Sequence, residues 1–78
     1  MTSTPAPAKA PPSQAEIFQR IRAERGLSQE AFAELTGLHR VTVAHVEAGT
    51  RWLTLVSTIR QVAERLEIPA DDLMAGVP

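Results

Sequence analysis

Seventy-eight residues, 44% of them hydrophobic, make one domain at most, and a core of that size is marginal enough that pairing with a second copy would help. The chain has no cysteine, which excludes disulfides and thiolate metal sites, and no apolar run nears the ~20 residues needed to cross a bilayer. A net charge of −1 gives no overall basic footprint for nucleic acid, so such a role depends on where the arginines sit.

Residues 1–12 hold Pro5, Pro7, Pro11 and Pro12 among alanine, serine and threonine. This composition predicts an extended, mobile tail ahead of a domain over 13–78. Lys9 is its one cation, too few for a groove-entering arm, and it lacks the apolar centre of a secretory signal. A cytoplasmic, nucleoid-associated protein is therefore expected.

From Ser13 the pattern turns helical, and Gly26, Gly37, Gly49 and Gly76 punctuate it. A Ser-x-x-Glu capping box, Ser13 with Glu16, opens a first helix over 14–25 whose buried stripe is Ile17, Phe18 and Ile21. Ser28 caps a short second helix over 29–36, with Phe32 and Leu35 on its apolar side. Gly37 makes a turn, and a third helix is expected over 39–48. A loop follows, then a fourth helix over 55–67, where Val56, Ile59, Val62, Ala63 and Leu66 recur at helical spacing. Pro69 suits the first position of a last helix over 69–74, with Asp71 and Asp72 near its positive end. The expected fold is all-α, with five helices and no strand.

Two short helices joined by a tight glycine turn make a helix-turn-helix, here over 29–48. Ala33 must be small where the helices cross, and Phe32, Leu35, Leu38, Val43 and Val46 must face a common core. At about 100° per residue, Arg40, Val41, Ala44, His45 and Ala48 share the opposite face of the third helix. That face suits the DNA major groove. Arg40 carries a fork that matches guanine O6 and N7, Val41 can meet a thymine methyl, Ala44 permits close approach, and His45 is a donor. Backbone contacts are expected from Ser28, Gln29, His39, Thr42, Thr50 and Arg51.

The run GLSQEAFAELTGLHRVTVAHVEAG resembles the lambda-repressor-like (Cro/CI, XRE-type) helix-turn-helix regulators. The matching features are Arg22, Gly26-Leu27-Ser28-Gln29, Ala33, Gly37 and Glu47-Ala48-Gly49, and the resemblance covers about 14–74. It implies a five-helix fold, a recognition helix in the major groove, often a homodimer, and a structural Arg22–Glu47 ion pair. After Gly49, the run Gly-Thr-Arg-Trp-Leu-Thr-Leu looks like the restriction–modification controller proteins, with Trp52 where asparagine is usual.

The predicted partners are double-stranded DNA and a second copy, the latter through Trp52, Leu53, Leu55, Leu73 and Met74. Trp52 also fits a loop anchor on the fourth helix or a contact to the DNA backbone. An antitoxin-type module with a protein partner is the alternative reading, motivated by the sparse cations. No enzyme is expected, because Ser28 and Ser57 lack an arranged base and no glycine loop cradles phosphate. No cofactor or metal is expected either, since His39 and His45 sit roughly 240° apart on a helix.

Overall fold

The computed structural model describes residues 13–75, so the proline-rich segment 1–12 and the glycine at position 76 lie outside the described residues. Five helices follow in order: α1 (Gln14–Arg25), α2 (Gln29–Thr36), α3 (Arg40–Glu47), α4 (Val56–Leu66) and α5 (Ala70–Met74). Among the described residues there is no strand, and no helix is long and apolar enough to cross a membrane.

Local chemistry sets the ends of the first two helices. At α1 the Ser13 Oγ accepts from the Glu16 N–H (3.2 Å), and the Glu16 carboxylate accepts from the Ser13 N–H (3.2 Å). Each bond satisfies a donor that the first turn would leave orphaned. At α2 the Ser28 Oγ accepts from the Ala31 N–H (3.0 Å). The two helices stop at Gly26 and Gly37, which take φ of 64° and 79°.

The bounds of three helices differ from the sequence expectation. His39 caps α3 rather than opening it. Leu55 and Glu67 cap α4 from outside, so that helix is one residue shorter at each end. Pro69 is likewise the cap of α5, not its first residue. Glu67 adopts φ 59°, the one positive φ at a non-glycine residue among those described.

Phe18 of α1 meets Phe32 of α2 at the centre, with ring centroids 4.9 Å apart and planes inclined by 55°. Around them pack Ile17, Ile21, Ala33, Val43, Val46, Ile59, Val62, Ala63 and Leu66, all buried. Leu35 and Leu38 flank this core and are partly exposed. Val56 departs from the stripe assigned to it. It is the first helical residue of α4, beyond the edge of the core, and remains 48% exposed.

Gln14 is a polar member of the interior, 1% exposed. Its Nε2 donates to the Leu53 carbonyl (2.9 Å) and the Leu73 carbonyl (3.0 Å), and its Oε1 accepts from the Leu53 N–H (2.7 Å). One amide thus ties the start of α1 to the loop before α4 and to α5. Such a buried group is tolerated because its bonds are satisfied.

The turn between α2 and α3 lies under α4. Gln61 Nε2 donates to the Thr36 carbonyl (3.1 Å), and a Cβ added at Gly37 would lie 2.5 Å from that nitrogen. Gly37→Ala should therefore cost about 1–2 kcal/mol, from left-handed strain and displacement of this bond. At roughly 4–8 °C per kcal/mol for a domain of this size, the midpoint should drop by about 4–16 °C in a thermal melt. Glu67→Gly should move it the other way, by about 0.5 kcal/mol, because glycine relieves the strain but loses chain entropy.

Candidate nucleic-acid interface

The orientation of α3 is fixed from behind. Val43 (0% exposed) and Val46 (1%) insert into the core. One turn on, Glu47 meets Arg22 of α1 in a two-pronged ion pair, Nε to Oε2 at 2.6 Å and Nη2 to Oε1 at 2.9 Å. The third arm of the fork donates from Nη1 to the Leu27 carbonyl (3.0 Å). Gln29 Nε2 adds a bond to Glu47 Oε1 (3.2 Å), and Gln19 Nε2 donates to the Glu47 carbonyl (2.8 Å). Hydrogen bonding to Glu47 raises the Arg22 pKa above its ordinary value, opposed by desolvation and reinforced by the carboxylate's charge.

With that side held, the other side of α3 faces outward. Arg40, Val41 and His45 are exposed, and Ala44 is half-buried between them. Together with Arg22, Ser28, Gln29 and Glu30 they line one open groove between α3 and the start of α2. A methyl at Ala44 keeps the middle of this surface low. Arg40 supplies a cation with no ion-pair partner among the described residues, whereas Arg22 is neutralised by Glu47.

The remaining site candidates divide. His39 Nδ1 accepts from the Val41 N–H (3.1 Å), so this side chain caps the very helix it precedes. Thr42 and Arg51 lie apart from the groove, in a second concavity with Trp52, Leu55 and Thr58. The Thr50 hydroxyl donates to the His45 carbonyl (3.2 Å). In this arrangement its hydrogen points back into the chain. The Gln29 side chain is drawn toward Glu47, which leaves the backbone N–H of that residue at the start of α2.

Two residues assigned to a partner surface are instead interior. Leu53 is 6% and Leu73 0% exposed, because the Gln14 amide draws both backbones in and their side chains complete the core. Neither has surface to offer a second copy. Leu55 is 65% exposed and Met74 partly so. Trp52 is half-buried and also lines a small recess beside Gln14, Ala15, Val46 and Gly49.

Sequence reasoning missed Gln14, which carries no local signal because its partners lie 39 and 59 positions away. It also missed Glu30.

A short helix, a glycine turn and a second helix with an exposed cation-bearing face define a helix-turn-helix. The helix-turn-helix family model HTH_3 matches residues 18–73, and the chain belongs to that family, of XRE type. Among solved structures it is similar to an HTH_3 family transcriptional regulator from Vibrio cholerae, with 31% identity and a TM-score of 0.66 over 80% of this chain. The chain spans only 34% of that protein's length. It is also similar to the restriction-modification controller protein C.AhdI from Aeromonas hydrophila, with 37% identity and a TM-score of 0.64 over 76% of this chain and 88% of the other. A hypothetical transcription factor, NHTF from Neisseria, shares 34% identity with a TM-score of 0.64, over 86% of this chain and 83% of that one. No curated protein matches the sequence.

The ion pair behind α3 can be tested by a cycle. Arg22→Met leaves the Glu47 carboxylate, whose side chain is 7% exposed, without its main partner. It should lower stability by about 3 kcal/mol in urea titrations. Adding Glu47→Leu should recover much of that loss, since both charges then leave together.

Proposed function

We propose that the chain is a sequence-specific transcriptional regulator that places α3 in the major groove and binds a near-palindromic operator as a homodimer. One observation carries this reading: Arg40, Val41, Ala44 and His45 share a single outward groove, while the opposite side of α3 is locked into the core and onto Arg22. The Arg40 fork fits guanine O6 and N7, Val41 fits a thymine methyl, and His45 donates to a base or a phosphate. Phosphates are met by the start of α2 at Ser28 and Gln29, by His39, and by Thr42 and Arg51 on the flank.

The second copy is seated on the exposed pair Leu55 and Val56, with Trp52 and Met74 at its edge. Leu55 and Val56 are, with Val41, the exposed large hydrophobics among the described residues. Buried in a symmetric contact, they would place two α3 helices one DNA turn apart, about 34–36 Å. The similarity to a restriction-modification controller supports a role of that kind. The chain acts by binding, in the cytoplasm at the nucleoid, and needs neither a cofactor nor a metal for it.

Selection of bound duplexes from a random pool should enrich an inverted repeat. Arg40→Ala should weaken binding to it by about 5–150-fold, the equivalent of 1–3 kcal/mol, and relax one guanine position in each half-site. An unchanged footprint and affinity would remove Arg40 from the readers. In sedimentation experiments Leu55→Glu should shift the protein to monomer and weaken operator binding, while its far-ultraviolet circular dichroism still shows the folded helical domain and its melt loses the dependence on protein concentration. If the chain is instead an antitoxin-type interaction module, titrations of random duplex at low and moderate salt will show no salt-sensitive binding.

A further inference from the structure

The groove that holds Arg40 and His45 also holds a carboxylate. Glu30 lies in the first turn of α2, is exposed, and lines the same concavity as Arg40, Val41 and Ala44. Among the described residues it forms no ion pair, and its side chain takes part in no hydrogen bond. A free acid on a surface that is to meet a polyanion needs a reason, all the more in a chain whose net charge is −1.

We propose that Glu30 is a specificity-determining residue that accepts a hydrogen bond from the exposed amino group of a cytosine in the major groove. This rests on the DNA-binding reading above. In the major groove cytosine presents its N4 donor with no acceptor beside it on the same base, which suits a carboxylate, whereas adenine sets its N6 donor next to the N7 acceptor; guanine O6 and N7 offer acceptors to an arginine. Arg40 and Glu30, which line the same groove, therefore present opposite halves of a code for G·C-containing steps. Elsewhere on DNA the same carboxylate meets phosphates and repels them. Random duplex is held almost entirely by phosphate attraction, so the charge subtracts from that binding directly. One side chain thereby strengthens the right site and weakens the wrong ones.

Glu30→Gln keeps the size and removes the charge. Against the operator selected by the unaltered protein, it should bind less tightly or equally, while binding to random duplex should rise by about 3–10-fold. The specificity ratio should thus fall by at least that factor, and a repeated selection should relax one position that the unaltered protein holds as cytosine. Glu30→Asp keeps the charge on a shorter stem, so it should relax the same position without the gain on random duplex. The thermal melt of Glu30→Asp should match the parent, and that of Glu30→Gln should fall by only a few degrees, since it removes one exposed charge from the positive end of α2. If the variants keep the parent's specificity ratio and selected sequence, Glu30 is not a reader and this inference falls while the regulator reading stands. If the parent protein itself shows no sequence preference, both fall.

Discussion

Everything the outward face of α3 can do depends on the bidentate contact between Arg22 and Glu47. A helix of eight residues has too few internal bonds to hold its own direction, so its pose comes from what it is fastened to. The valines set which side faces inward but leave some freedom to slide along the axis. A planar guanidinium gripping a carboxylate through two bonds removes that freedom, because both distances hold only in one orientation. The same guanidinium reaches the Leu27 carbonyl, and Gln29 reaches the same carboxylate, so the start of α2 is set by the same group. The relative placement of the two helices is therefore decided at one polar junction between α1, α2 and α3.

Gln14 plays a matching part at the other end of α1. Its amide is the equivalent of an extra strand-like partner for a segment with no regular structure of its own, residues 51–55. That segment must cross from α3 to α4 with its backbone groups satisfied, and the side chain of a distant residue does the satisfying. The result draws Leu53 and Leu73 inward and leaves Leu55 facing out. Which leucines are core and which are surface is thus settled by one glutamine rather than by the leucines.

Most of the helical frame was legible because its signals are local. Ser13 with Glu16, Ser28, and the glycines at 26 and 37 state where helices begin and end through groups a few residues apart. The inward side of α3 followed from periodicity, since Val43 and Val46 repeat at helical spacing. What escaped was decided at long range. The burial of Leu53 and Leu73 follows from contacts spanning most of the chain. Val56 fits the stripe of α4 by count, but counting along a helix does not reveal where the core stops. Glu67 ends α4 in a conformation that favours glycine, so the usual stop sign was missing there. Thr50 looked like a phosphate ligand by composition, and its hydroxyl turns back onto the carbonyl at His45.

The cap at His39 carries one more consequence. A ring nitrogen can accept the Val41 N–H only if it bears no hydrogen of its own. In the neutral imidazole the hydrogen must then sit on Nε2, so the backbone selects one tautomer of the two. Serine or aspartate in the same place would finish the helix start equally well and leave an oxygen at the rim. Histidine finishes it and turns an N–H toward solvent.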